Sequence, residues 1–170
     1  MQEIIVAANE AGQRLDKMLA KYLNEAPKSF LYKMLRKKNI VLNGKKATGN
    51  EKLAVGDSVK LFLADETIAK FSNIHAVHTN VTLDIIYEDE NVLLINKPVG
   101  MLSQKAAADD ESLVEHIISY MLETRQLTEE ELRKFRPSVC NRLDRNTSGL
   151  VAAGKSLAGL QEMGTLFKNR

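Results

Sequence analysis

The stretch Val139-Cys-Asn-Arg-Leu-Asp-Arg-Asn-Thr-Ser-Gly-Leu-Val-Ala-Ala-Gly-Lys-Ser156 changes character halfway along. From Asn141 to Gly149 apolar side chains are nearly missing, so this half reads as an exposed polar loop. Leu150-Val-Ala-Ala153 then returns the chain to a core as a strand. Asp144 lies between Arg142 and Arg145, whose positive charges favour its ionised form, as a carboxylate nucleophile or base requires. On physics alone an aspartate between two arginines is more often a surface ion pair. Asn146, Thr147 and Ser148 can fix the loop through side-chain to backbone hydrogen bonds, and Gly149 allows a sharp exit. A second motif overlaps: Gly149 to Ser156 fits the phosphate-cradling pattern G-x-x-x-x-G-K-[ST]. Context rejects it, because no apolar strand precedes Gly149 and the four middle residues read as strand where a loop is needed.

Upstream, Asp84-Ile-Ile-Tyr-Glu-Asp-Glu-Asn-Val-Leu-Leu-Ile-Asn96 runs apolar, acidic, apolar, the pattern of a hairpin. Lys97-Pro98-Val-Gly100 ends it, since proline cannot donate to a sheet ladder. Ser112 opens an amphipathic helix with Leu113, His116, Ile117, Tyr120 and Met121 on one face, which makes His116 a packing residue rather than a catalyst. Thr128-Glu-Glu-Glu131 is a capping box for another short helix.

Nearer the amino terminus, Leu15, Met18, Leu19, Tyr22 and Leu23 form one apolar stripe, leaving Lys17 and Lys21 to face water. Ser29 is positioned to cap a second helix, Phe30 to Lys38, in which Lys33, Arg36 and Lys37 make a basic ridge. Ile40-Val-Leu42 reads as a strand, Asn43-Gly44 as a tight turn and Val59-Lys-Leu-Phe-Leu63 as a further strand. Ala64 to Val81 has little periodicity and reads as a linker. Its His75 and His78 have no third or fourth ligand nearby, so no metal site is expected.

The 170 residues allow one ordinary domain or two small ones, and 44% apolar with 27% charged residues excludes wholesale disorder. One cysteine excludes a disulfide framework and fits a reducing compartment. Met1-Gln-Glu3 opens no apolar run, and no stretch approaches the roughly 20 apolar residues of a membrane span, so a cytoplasmic protein is expected. The net charge of +2 conceals its distribution. Residues 14–46 hold ten basic and two acidic side chains, 47–132 six and sixteen, and 133–170 eight and two. Two basic blocks around an acidic middle point to a polyanion touched at two places.

Two helices feeding a small hairpin sheet, with Arg14-Leu-Asp16, the Lys33/Arg36/Lys37 ridge and Val41-Leu-Asn-Gly44, resemble the S4 RNA-binding module. That resemblance implies RNA contact through Arg14, Lys17, Lys33, Arg36, Lys37 and Lys38. Asn141-Arg-Leu-Asp-Arg-Asn-Thr-Ser-Gly-Leu150 resembles the R-L-D-x-x-T-S-G signature of RluA-type pseudouridine synthases, and Ile86 to Met101 is similar to that family's first catalytic hairpin. The implied fold class is α+β: a small S4-like helix-pair and hairpin domain over 1–65, a linker over 66–82, and part of a mixed α/β synthase domain over 83–170. The implied reaction isomerises uridine to pseudouridine in RNA, with 23S ribosomal RNA the leading substrate and without metal, nucleotide or redox cofactor. By motif match Asp144 is the catalytic carboxylate, either attacking ribose C1′ or removing a ribose proton to give a glycal. Arg142 resembles the arginine that enters the space left by the flipped nucleotide. Arg145 is expected at a phosphate or beside Asp144, and Lys97 near the substrate. Asn141 stands where many members carry histidine. The family continues well beyond this loop, adding a tyrosine that packs on the uracil and a basic partner for the aspartate. The 170-residue chain is therefore expected to be a truncated form, weakly active or inactive. The alternative is a non-catalytic S4-type RNA-binding protein with a vestigial synthase half.

Overall fold

The computed structural model describes residues 1–73 and 77–170. His75, of the histidine pair considered above, lies outside the described residues. The chain forms two compact units, Met1–His75 with Leu132–Phe135, and Ala76–Glu131 with Arg136–Arg170. Each carries one four-stranded sheet whose named strand pairs are all antiparallel, so the fold is mixed α and β.

In the first unit β1 (Gln2–Ile5) is followed by α1 (Leu15–Tyr22) and α2 (Lys28–Arg36). Leu15, Met18, Leu19 and Tyr22 are buried, as their spacing requires, each contributing about 1.5–3 kcal/mol of burial. Ser29 does not cap α2. The Pro27 carbonyl accepts from the Phe30 and Leu31 N–H groups, so the helix begins one residue before Ser29. It ends at Arg36, because Lys38 turns left-handed at φ 59° and the Asn39 N–H closes back on the Met34 carbonyl. β2 (Ile40–Leu42) and β3 (Lys45–Lys46) are joined through Asn43 and Gly44, both at positive φ (50° and 72°), the geometry of a two-residue hairpin turn. With β4 (Ser58–Leu61) the sheet order is β1-β4-β2-β3. The stretch expected to be a linker contains a helix, α3 (Asp65–Phe71), whose Ile68 joins the first core and whose Phe71 ring lies 4.8 Å from Phe30. One fully buried residue in two turns leaves too little periodicity to read.

In the second unit β5 (Ile85–Glu88) and β6 (Val92–Lys97) form the expected hairpin. α4 (Leu113–Glu123) carries the capping box of Ser112 and Glu115. α5 (Glu129–Leu132) is opened by the Thr128/Glu131 box, in which each backbone N–H donates to the other's side chain. β7 (Ser138–Val139) and β8 (Gly149–Gly154) complete a sheet ordered β5-β6-β8-β7, and α6 (Leu157–Lys168) follows. Gly149 to Gly154 is thus strand, as the rejection of a phosphate loop requires. Lys155 is buried, 2.8 Å from Glu88 Oε1 and donating to the Asp89 carbonyl. Burial raises the Glu88 carboxyl, but hydrogen bonds from Lys155, Tyr120 and Gln126 win and hold it below its ordinary value. His116 is buried, with Nδ1 2.8 Å from Thr79 Oγ1. Among the described residues no helix is long and apolar enough to cross a membrane.

Candidate functional site

The register of β6 on β8 fixes the site. Lys97 pairs with Gly149, so the turn after β6 and the loop before β8 emerge together at one end of the sheet. Gly149 sits at φ +144°, a conformation that disfavours a side chain, and a Cβ there would lie 3.3 Å from Leu143 Cδ1. Asn141 straps the loop to β8, its Nδ2 donating to the Leu150 carbonyl and its Oδ1 accepting from the Ala152 N–H. An amide holds this position without titrating. The Thr147 N–H donates to the Asp144 carbonyl at 3.0 Å and turns the loop. The side chains of Asn146, Thr147 and Ser148 make no hydrogen bond among the described residues, so the fixing is done by backbone, Asn141 and Ser103.

Ser103 is the residue the sequence reading missed. It is buried, its Oγ donates to the Leu143 carbonyl at 2.7 Å, and the same oxygen accepts from the Leu143 N–H at 3.0 Å. Both backbone groups of the residue before Asp144 are therefore held by one hydroxyl. Gly100 adds a third tie, its N–H donating to the Arg145 carbonyl at 2.7 Å. The outcome is an open cleft of about 470 Å³ lined by Leu102, Ser103, Gln104, Lys105 and Arg142 to Arg145. Asp144, Arg142 and Arg145 are exposed there. Arg142 Nη1 lies 3.5 Å from Gln104 Oε1, and neither arginine forms an ion pair with Asp144 among the described residues.

Lys97, expected near the substrate, is fully buried and does not line the cleft. Its Nζ donates to the Pro98 and Met101 carbonyls at 3.1 and 2.8 Å, winding residues 97–101 around the ammonium. Burial pushes its pKa down, and the negative charge of Asp144 pulls it part of the way back. The resemblance ended at Met101, two residues short of Ser103, and a lysine's charge gives no hint of burial.

In the first unit Lys17, Lys33, Arg36, Lys37 and Lys38 are exposed, with no side-chain partner among the described residues. Arg14 differs: its guanidinium donates to both Asp16 oxygens at 3.1 and 2.7 Å and to Asn50 Oδ1 at 2.6 Å. Lys21, expected in water, is half-buried, donates to Gln13 Oε1 and lies 5.9 Å from the Phe135 ring centroid. Among the described residues no group of three or more His, Cys, Asp or Glu side chains is placed to hold a metal.

A carboxylate on a stiffened loop between two exposed guanidinium groups suits chemistry on an anionic polymer. Residues 91–170 match the RNA pseudouridylate synthase family. More particularly, the chain is similar to ribosomal large subunit pseudouridine synthases. It is 30% identical over 163 residues to ribosomal large subunit pseudouridine synthase C of Salmonella typhimurium, covering 94% of this chain and 48% of that protein. An uncharacterized RNA pseudouridine synthase of Mycoplasma capricolum is 31% identical over 173 residues, covering the whole chain and 55% of that protein. The chain spans about half the length of the curated relatives it matches. Among solved structures, human RNA pseudouridylate synthase domain containing 4 matches 50% of this chain and 29% of its own at 24% identity, with a TM-score of 0.37.

Proposed function

We propose that the protein isomerises uridine to pseudouridine in RNA, in the cytoplasm, with 23S ribosomal RNA as the substrate. The observation that carries this reading is the placement of Asp144: exposed, in an open cleft, between Arg142 and Arg145, on a backbone held by Ser103 and Gly100. The names of the large-subunit relatives support the choice of RNA.

In the reaction the bond from uracil N1 to ribose C1′ breaks and a bond from C5 to C1′ forms. N1 gains a proton and C5 loses one, so the change balances without oxidant or group donor. Two routes use the same carboxylate: attack on C1′, or removal of a ribose proton to give a glycal. Both need it ionised and within reach of the sugar. The uridine must first leave its helix, at a cost of a few kcal/mol. Arg142 offsets part of that cost by entering the vacated space, and Arg145 holds a flanking phosphate. Lys97 acts from below as a positioning residue, because its ammonium organises the turn whose Gly100 anchors Arg145. The first unit serves as an S4-type RNA-binding module, with Lys17, Lys33, Arg36, Lys37 and Lys38 at phosphates and Arg14 ordering the surface beside them.

Large-subunit RNA with tritium at uridine C5 tests this, since C5 exchanges its hydrogen for a carbon bond. The intact protein is expected to release label and its Asp144→Asn variant none. Release by the variant at the parent rate would remove Asp144 from its role. Silence from the intact protein would leave the non-catalytic RNA-binding alternative.

A further inference from the structure

Tyr32 stands on α2, 40% exposed, and its hydroxyl is tied down. Its hydroxyl donates to Asp16 Oδ2 at 2.9 Å, and Asp16 is in turn gripped by Arg14. A Cβ on Gly49 would lie 3.2 Å from Tyr32 Cε1, so the backbone there closes against the ring's edge. Tyr32 and Leu35 both line each of two cavities. The smaller, about 80 Å³, is rimmed by Lys17 and Lys28 and is too small for a ligand. The larger, about 460 Å³, lies within the range of roughly 300–1,000 Å³ typical of small-molecule sites. Its rim holds Arg36 and Lys46, its floor is Leu35 and Ala47, and no carboxylate lines it. Neither cation, nor the Ser29 hydroxyl at the same rim, has a side-chain partner among the described residues.

We propose that this larger cleft is a nucleotide subsite, which takes one unpaired RNA base against the Tyr32 ring and its phosphate on Arg36 and Lys46. The proposal rests on the reading that the first unit binds RNA. A fixed aromatic wall with an apolar floor accepts the flat face of any base, and two cations at the rim match the phosphate. Bases inside a duplex cannot reach such a wall, so the subsite selects loops, bulges or single strands. Basic surface elsewhere on the unit would grip duplex and single strand alike, whereas this cleft distinguishes them.

The test uses the 170-residue chain, a short RNA stem-loop with a fluorescent adenine analogue in its loop, and a closed duplex of the same stem. Tyr32→Ala is expected to weaken stem-loop binding about tenfold and to abolish quenching of the loop fluorophore, with duplex affinity unchanged within about twofold. Tyr32→Phe, which keeps the ring, should keep the quenching. Should Tyr32→Ala fail to fold, Lys46→Gln, which lies outside the basic ridge that carries Arg36, still tests the site. It should lower the slope of log affinity against log salt for the stem-loop by about 0.7 for the phosphate no longer neutralised. Parent-like stem-loop affinity and quenching in these variants, in a chain that still binds RNA, would overturn the subsite alone. No RNA binding by the parent would overturn the reading beneath it as well.

Discussion

Ser103 holds Leu143 by both backbone groups, and the next residue is Asp144. Removing the hydroxyl in Ser103→Ala leaves a donor and an acceptor without partners, a stability cost of about 1–3 kcal/mol. The loop then relaxes, and a displacement of about 1 Å at the carboxylate is enough to lower turnover on the order of a hundredfold. Tritium release should show this as a fall in kcat with KM little changed. Ser103→Thr, which restores the hydroxyl, should recover most of it; failure of that rescue would assign Ser103 to packing alone. His116 makes a prediction about pH. Burial lowers its pKa, with the charges of Glu111 and Glu115 opposing, and Thr79 is its hydrogen-bond partner. As pH falls below about 6.5 the unfolded chain takes up a proton that the buried ring resists, so stability drops toward the folded-state pKa. Thermal midpoints should therefore begin to fall as pH drops through about 6.5, above the range where ordinary carboxylates titrate, and His116→Gln should flatten that fall. An unchanged slope in the variant would place the pH dependence elsewhere.

At the scale of elements, the start of α6 is fixed by one turn of the β5–β6 hairpin. The Asn91 carbonyl accepts from the Lys155 N–H at 2.8 Å, Asn91 Oδ1 accepts from Ser156 Oγ at 2.7 Å, and Ser156 Oγ caps the Gly159 N–H at 3.0 Å. A Cβ on Gly159 would run into the Asn91 carbonyl, which is backbone and cannot swing aside, whereas one on Gly164 in the same helix would meet nothing within 4 Å. Helix propensity alone would make both alanine variants stabilising by about 0.5–1 kcal/mol. Denaturant unfolding should show that gain for Gly164→Ala and a loss of about 1–3 kcal/mol for Gly159→Ala. Equal effects would mean that the hairpin does not grip the helix. What could be read from sequence follows the same division. α1, α4 and the two hairpins were legible because their signals are local: a 3.6-residue stripe, a capping box, an Asn-Gly turn. β1 was not, since its four residues pair only with β4, more than fifty positions away, and only Ile4 is fully buried. α3 shows one buried residue, and the start of α2 turned on a proline carbonyl that competes with a plausible serine cap. The Asp144 loop stood out as a polar insertion before an apolar strand. Its support did not, because Ser103 reaches Leu143 across forty residues and Lys97 hides its charge under the turn it organises.

Across the whole molecule, the proposed function puts grip and chemistry in different units. The basic block at 14–46 lies in the first unit, and residues 132–135 return to that unit, where Arg133 sits 4.0 Å from the Tyr22 ring centroid and donates to Ser72. Asp144 and its cleft lie in the second. Binding through phosphates carries a salt dependence that chemistry at a single carboxylate does not. The substitutions Lys33→Gln and Lys37→Gln together should flatten the plot of log affinity against log salt by about 0.7–0.9 for each phosphate left without its lysine. They should raise KM and leave kcat near the parent value, the pattern of lost uniform binding. Asp144→Asn should do the reverse, keeping RNA affinity and its salt slope while tritium release stops. Titration of ribosomal RNA fragments over a series of salt concentrations, run beside the release assay on the same preparations, separates the two. A Lys33/Lys37 variant that lost kcat with an unaltered salt slope would show that these lysines act on the chemical step, and grip and chemistry could then no longer be assigned to separate units.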